Sequence, residues 1–105
     1  MAERPPAIKN AMINESRAAF YALIRGRVQG VGYRYSAIRE AGRLNVNGWV
    51  RNTHSGDVEV WAEGLPENLE RFSAWLYRGP QYSRVDSVER EPRRPQGYRG
   101  FDVKF

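Results

Sequence analysis

Hydrophobic and polar residues follow two different spacings along the chain, one typical of strands and one typical of helices. From Phe20 to Val28 they alternate, which predicts a strand with one buried face. In residues 34–44 the apolar positions recur every three or four residues, and the same spacing returns after Pro66, a residue favoured at the first position of a helix. The core positions that these spacings predict are Phe20, Ala22, Ile24, Val28, Ala37, Ile38, Ala41, Leu44, Leu65, Leu69, Phe72 and Leu76.

The segments that also alternate like strands are 46–53, 57–62, 85–89 and 101–105. The first two flank a short polar turn, which is typical of a hairpin, and the last places Phe101, Val103 and Phe105 on one side. Gly79 and Pro80 end the second helix. The order strand, helix, strand, strand, helix, strand, with one extra terminal strand, predicts the α+β class. We expect a ferredoxin-like sandwich (βαββαβ), in which two helices cover one face of an antiparallel sheet.

The length and the N-terminal composition predict one domain with a short extension. A chain of 105 residues holds a single core. Residues 1–17 contain two consecutive prolines, scattered charges and no sustained periodicity, so we expect a mobile tail followed by a domain at 18–105. No apolar run is long enough to cross a bilayer, and the N-terminal residues lack a signal-peptide core. We therefore expect a cytoplasmic protein with no membrane association.

The charge balance points to an anionic partner without identifying it. The formal net charge is +5, and only Lys9 and Lys104 of the 17 basic residues are lysines. Such a surface attracts nucleic acid, membranes or phosphorylated metabolites, or it is simply a solvated arginine-rich surface. The chain has no cysteine, which excludes disulfides and thiolate metal sites. Because it also has one histidine, His54, a zinc site would need carboxylates almost alone, and we expect no metal and no cofactor.

A glycine-rich segment at 26–34, Gly-Arg-Val-Gln-Gly-Val-Gly-Tyr-Arg, joins the first strand to the first helix. Helix N-termini present unpaired N–H groups and a partial positive charge, which together favour a phosphate. Gly30 and Gly32 allow the backbone to turn several amides towards one anion. Arg34, in the first helical turn, is unfavourable for the helix dipole unless an anion is bound there. A plain glycine-rich turn with a surface arginine is the alternative, and the segment matches neither a Walker loop nor a dinucleotide fingerprint.

Asn52 is a second candidate, at the end of the second strand. In a right-handed split βαβ unit the first and second strands are parallel, so their carboxyl ends share one edge of the sheet. This places Asn52 beside the loop, where its amide could orient a water molecule. An ordinary turn asparagine is the alternative. Thr53 is a candidate support for Asn52, and we expect His54 to be a solvated turn residue rather than a catalytic base.

Taken together, the segments 26–34 and 48–53, the latter Gly-Trp-Val-Arg-Asn-Thr, closely resemble the acylphosphatase signatures. The resemblance extends from about Phe20 to Phe105 and includes Gly79-Pro80 and the segments 84–88 and 98–103. The main departure is Tyr33, where phenylalanine is more often expected. The two-part motif is specific, whereas each half alone would not be.

The resemblance implies an acylphosphatase, which hydrolyses an acyl phosphate to a carboxylate and inorganic phosphate. It implies that Arg34 binds the phosphate, that Asn52 positions the attacking water and that the loop amides complete the cradle. The cradle residues are Gln29, Gly30, Val31, Gly32 and Tyr33. The leaving carboxylate needs no proton, and phosphoryl transfer depends mainly on positioning and charge, so neither a general acid nor a metal is required. The expected partners are the acyl-phosphate substrate and inorganic phosphate, and we expect a monomer.

Two other functions fit the same fold. An RNA-binding module would suit the basic charge, but it needs exposed aromatic residues on a central strand. The corresponding strand carries Glu59 and Glu63, which we expect on its outward face, where they would repel phosphates. We therefore expect no nucleic-acid partner. A non-catalytic domain that binds a carboxyl- or carbamoyl-phosphate compound would keep Arg34 and the loop but would not need Asn52.

Overall fold

The computed structural model describes residues 17–105 and shows two helices packed on one five-stranded sheet. The elements in chain order are β1 (Ala18–Arg27), α1 (Tyr33–Arg43), β2 (Asn47–Asn52), β3 (Val58–Gly64), α2 (Pro66–Arg78), β4 (Arg84–Arg93) and β5 (Phe101–Lys104). This confirms the predicted ferredoxin-like sandwich. The mobile tail predicted for 1–17 lies outside the described residues except at Arg17. No helix in the described part of the chain is long and apolar enough to span a membrane.

The sheet is mixed rather than wholly antiparallel, because the extra strand pairs in parallel. The strand order is β4-β1-β3-β2-β5. β3 is antiparallel to both β1 and β2, so β1 and β2 run in the same direction as predicted. β5 pairs in parallel with β2, with Gly48 opposite Phe101 and Val50 opposite Val103. The carboxyl ends of β1, β2 and β5 therefore meet at one end of the sheet.

Most of the predicted core positions are buried, and two predicted inward positions are wrong. In each strand or helix the buried side chains follow the expected spacing, and Ile38 packs against the edge of the core. Leu65 is 37% exposed because it precedes α2 as its N-cap and lies outside the helical stripe. Phe105 is 98% exposed because it follows the end of β5 and has no paired neighbour.

Glu63 corrects the prediction that the outward face of β3 carries two exposed glutamates. Its side chain is fully buried, and its carboxylate accepts hydrogen bonds from the indole of Trp61 at 2.8 Å and from three backbone amides. These amides belong to Gln96, Gly97 and Tyr98, with N···O distances of 2.5, 3.0 and 3.2 Å. The loop that contains them crosses from β4, at one edge of the sheet, to β5 at the other. Glu63 therefore anchors this crossing.

Glu59, the other glutamate on β3, is paired rather than free. The Tyr21 hydroxyl donates to its carboxylate at 2.6 Å, and the Arg51 guanidinium donates at 2.6 Å. Burial would raise the pKa of Glu59, but the hydrogen bonds from Tyr21 and Arg51 outweigh it and hold the pKa below its usual value. Glu59 is therefore the anionic member of a neutralised pair on the sheet.

The side chain of Tyr33 points away from the loop and into the core, where it connects the two helices. Its ring lies 5.3 Å from that of Trp75, and its hydroxyl donates to the carbonyl of Leu76 at 2.6 Å. That carbonyl would normally accept from the N–H four residues later, but residue 80 is proline and has none. Burial raises the pKa of the Tyr33 hydroxyl, which keeps it protonated as a donor. The hydroxyl, absent from phenylalanine, thus replaces a missing helical bond.

We expect the Tyr33→Phe variant to be less stable by about 1–2 kcal/mol, because it leaves the buried Leu76 carbonyl without its donor. The free energy of unfolding can be measured by denaturant titration. Tyr82→Phe is the matched control, since Tyr82 is 75% exposed, and its effect should stay within about 0.5 kcal/mol. Equal stability of the two variants would show that the hydroxyl is not needed at Leu76.

Candidate active site

A cavity of about 300 Å³ opens where the carboxyl ends of β1, β2 and β5 meet the start of α1. The predicted site residues that line it are Gln29, Gly30, Gly32, Tyr33, Arg34 and Asn52. Val31 does not line it, and its side chain instead packs against the core. The fold thus brings the two predicted halves of the site, the loop and the end of β2, to a single cavity.

The backbone of the loop presents a run of free N–H groups. None of the amides from Gly30 to Tyr35 donates a hydrogen bond to another residue within 17–105, and the first helical bond runs from Ser36 N to Gly32 O at 3.0 Å. Gly30 and Gly32 have φ values of 75° and 79°, in the left-handed region that glycine tolerates best. A Cβ at either position would meet no atom within 4 Å, so conformation rather than crowding requires these glycines. Unpaired amides of this kind form an anion site.

The electrostatics at the start of α1 also favour an anion. The N-cap Gly32 has no capping side chain, and the first turn contains no acidic residue, so the positive end of the helix dipole is not neutralised. Arg34 adds a cation in the same turn. Its guanidinium lies 5.9 Å from the Phe105 ring, and it forms no ion pair with any carboxylate that the structure describes. The arginines that do form ion pairs are Arg25, Arg43, Arg51, Arg84, Arg90 and Arg93.

Asn52 ends β2 at the wall of this cavity. Its Oδ1 atom is buried and has no hydrogen-bond partner, and no other buried side-chain nitrogen or oxygen in the described range is left in this state. A buried acceptor without a donor costs about 1–3 kcal/mol, so such atoms usually serve a ligand or an ordered water molecule. Asn52 thus brings an unsatisfied buried acceptor to the wall of the cavity beside the loop.

The side chain of Gln29 connects the loop to the hairpin, a role that the sequence did not predict. Its Nε2 atom donates to the carbonyls of Thr53 and Asp57, each at 2.8 Å. These two carbonyls belong to the turn that directly follows Asn52. Gln29 therefore fixes the distance between the amide-rich loop and Asn52. A long amide side chain next to the first loop glycine was the only signal in the sequence, and it does not reveal its partners.

Thr53 and His54 lie close to Asn52 in sequence, but neither residue lines the cavity. The Thr53 hydroxyl accepts from the backbone N–H of Asp57 at 3.1 Å, and the Thr53 amide donates to the Asp57 carbonyl at 2.9 Å. Thr53 thus closes the turn and forms no hydrogen bond with the Asn52 side chain. His54 is exposed in that turn and does not line the cavity.

The chemistry of the cavity follows from these groups. Arg34 has the one charged side chain among the described residues that line it. A guanidinium and a ring of N–H groups can hold a tetrahedral anion through charge-assisted hydrogen bonds. The free oxygen of Asn52 can accept a hydrogen from a water molecule next to that anion. The arrangement suits binding of a phosphoryl group and attack on it by water.

Comparisons with known proteins place the chain among relatives of one family. The sequence model of the family described as Acylphosphatase matches residues 20–103. An acylphosphatase of Thermococcus kodakarensis is 47% identical over 83% of this chain and 96% of its own length. A crystal structure of an acylphosphatase from Bacillus subtilis has a TM-score of 0.81 at 32% identity, covering 84% of this chain and 99% of that chain. A structure of an acylphosphatase from Coxiella burnetii has a TM-score of 0.83 at 32% identity, covering 87% and 96%.

The Gln29→Ala variant removes both hydrogen bonds that hold the turn after β2. We expect its free energy of unfolding to fall by about 1–2 kcal/mol, and the amide hydrogens of Thr53 and Gly56 to exchange faster with solvent. Denaturant unfolding and hydrogen exchange followed by NMR measure the two effects.

Gln96→Ala is the matched control, because Gln96 is exposed and contacts Glu63 through its backbone amide rather than its side chain. Its unfolding and exchange should match those of the wild type. If Gln29→Ala behaves like this control, the two bonds do not hold the turn in solution.

Proposed function

Because this chain belongs to the acylphosphatase family and is an acyl-phosphate hydrolase, we propose that Arg34 and the loop amides hold the phosphoryl group while Asn52 orients the attacking water. The observation that carries this proposal is the run of unpaired N–H groups from Gly30 to Tyr35, which starts next to Gln29 and includes Arg34 itself. Every residue of this run except Val31 lines one cavity. The proposal extends through the backbone to the predicted cradle residues from Gly30 onwards, including Val31, whose side chain packs against the core, and Tyr33, whose side chain lies in it.

Phosphate binding follows from the geometry of the donors. The planar guanidinium of Arg34 can donate two parallel hydrogen bonds to two phosphoryl oxygens, which a lysine ammonium cannot reproduce. The loop N–H groups are fixed in place by the backbone, so they need no rearrangement as negative charge moves onto the phosphoryl oxygens in the transition state. The positive end of α1 adds to the same effect.

Attack by water uses Asn52. Its Oδ1 atom accepts one hydrogen of the water and thereby directs the oxygen lone pair towards phosphorus, opposite the bond to the acyl oxygen. The water oxygen forms the new P–O bond, the bond between phosphorus and the acyl oxygen breaks, and the electron pair leaves with the carboxylate. The water protons remain with inorganic phosphate. Since the carboxylate leaves without being protonated, the step needs no general acid, and positioning supplies most of the acceleration.

We also propose that the reaction proceeds without a metal or another cofactor. The described residues that line the cavity include no carboxylate side chain, histidine or cysteine that would bind a divalent cation. Arg34 already supplies the positive charge that a metal ion would bring, and its charge would repel a second cation. Charge stabilisation in this site therefore comes from the guanidinium and the backbone.

The same proposal includes the predicted surroundings of the protein: a monomer in the cytoplasm, with no nucleic-acid partner. The absence of a nucleic-acid partner is supported by the state of the basic residues. Six of the described arginines are paired with carboxylates, which reduces the field available to a polyanion.

Hydrolysis of benzoyl phosphate in the presence of a metal chelator tests the reaction and its metal independence together. We expect full activity with excess chelator, and release of benzoate and inorganic phosphate in equal amounts. Activity that disappears with chelator and returns with a divalent cation would contradict the metal-free mechanism. Binding of benzoyl phosphate with no turnover would favour the non-catalytic binding domain.

Two substitutions separate phosphate binding from water activation. We expect Arg34→Lys to lose both phosphate binding and roughly 10²- to 10³-fold in kcat/KM, as when a fixed oxyanion donor is removed. Asn52→Ala should lose turnover to a similar extent, yet inorganic phosphate should still inhibit competitively or bind in calorimetry.

The matched controls are Arg39→Lys, on the same helix but outside the cavity, and Asn68→Ala, on α2. Both should keep the kinetics of the wild type. Unchanged turnover in Asn52→Ala would remove Asn52 from the mechanism, and near-normal kinetics in Arg34→Lys would rule out the guanidinium clamp.

A further inference from the structure

The cavity extends beyond the phosphate cradle, and this extension has no role in the mechanism proposed above. Besides the polar loop residues and Asn52, its lining includes a group of apolar and aromatic side chains. The side chains of this apolar wall are Tyr35, Ile38, Val103 and Phe105. The first two lie on α1, and the other two lie on or just after β5. The wall therefore occupies the space between α1 and the extra strand.

Two members of the apolar wall are aromatic and open to solvent. Tyr35 is 68% exposed and Phe105 is 98% exposed. Large apolar side chains that border a cavity in this way commonly mark a binding surface. Tyr82, by comparison, is 75% exposed and lies outside the cavity, so exposure of an aromatic ring alone does not define the wall.

The position of the apolar wall relative to Arg34 indicates where the acyl group of a bound substrate would lie. Ile38 lies four residues after Arg34 on α1, so the two side chains are neighbours on the same helix face. A phosphoryl group held at the start of α1 would therefore leave its acyl group pointing along α1, between Ile38 and Val103. Phe105 lies where the apolar wall meets the phosphate cradle, since its ring also approaches the Arg34 guanidinium.

The wall offers no partner for a second negative charge. Arg34 is the single charged residue among the cavity-lining side chains that the structure describes, and the phosphoryl group would already occupy it. A carboxylate or second phosphate on the acyl group would be placed against apolar side chains, which is costly without a compensating hydrogen bond.

We propose that the apolar wall is the acyl-binding subsite, and that it selects acyl phosphates with an uncharged aromatic or branched apolar acyl group. This rests on the proposed function, because it assumes that the phosphoryl group occupies the cradle. Contacts between the acyl group and the wall lie away from the bond that breaks, and binding energy of that kind raises kcat/KM by positioning the substrate for attack. The aromatic rings of Tyr35 and Phe105 can also pack against an aromatic acyl group.

The test compares three substrates: benzoyl phosphate, acetyl phosphate and succinyl phosphate, whose acyl group carries a second negative charge. In the wild type we expect kcat/KM to be highest for benzoyl phosphate, by about 10-fold or more, as for a few apolar carbons in a fitted pocket. In Tyr35→Ala and in Phe105→Ala the ratio of benzoyl to acetyl phosphate activity should fall about 3- to 10-fold each. Tyr82→Ala should keep the wild-type ratio.

The ratio separates this proposal from the function on which it rests. If none of the three substrates is hydrolysed, both the proposed function and the subsite are wrong. If all are hydrolysed but neither Tyr35→Ala nor Phe105→Ala changes the ratio, the subsite alone is wrong. An equal loss for benzoyl and acetyl phosphate in Phe105→Ala would also overturn it, because it would show that the ring acts only on Arg34. A wild-type preference for succinyl phosphate would overturn the exclusion of charged acyl groups.

Discussion

Backbone N–H groups that face a cavity without an acceptor are unfavourable unless an anion or water satisfies them. The start of α1 holds such a run of unpaired amides, and the positive φ values of Gly30 and Gly32 set the course of the backbone there. The surrounding features serve this arrangement. Arg34 adds a cation to the same turn, the parallel ends of β1 and β2 bring Asn52 beside it, and Gln29 sets the spacing between the two strand ends.

Much of the fold and the polar half of the site could be predicted from the sequence, because the spacing of apolar residues and the identity of turn residues determine them locally. The alternation of apolar and polar residues predicted the strands, and apolar residues at helical spacing predicted α1 and α2. The parallel direction of β1 and β2 then predicted that Asn52 lies beside the loop. The residues that could not be predicted depend on distant partners. Glu63 has the sequence context of an exposed strand residue, yet a loop more than 30 positions later covers it. Likewise, nothing near Gln29 in sequence indicates that its side chain reaches the hairpin.

The apolar half of the site depends on the placement of β5, which local pattern does not reveal. An extra strand can in principle extend either edge of a sheet. Here the crossing loop is held by the Glu63 carboxylate, so β5 joins β2 in parallel and its carboxyl end arrives at the cavity. That direction is what brings Val103 and Phe105 next to α1. An anchor at one end of the sheet thus determines which side chains surround the site at the other end.

The hydroxyl of Tyr33 has a consequence for the motions of the enzyme. It joins the first residue of α1 to the last turn of α2, so the amide-rich loop is attached to two core helices rather than to one flexible segment. The start of α1 then moves only if α2 loosens as well, so the cooperative core holds the loop in shape even though the loop amides themselves are unpaired. The cradle is consequently shaped before substrate arrives, and turnover is not expected to wait for a conformational closing step.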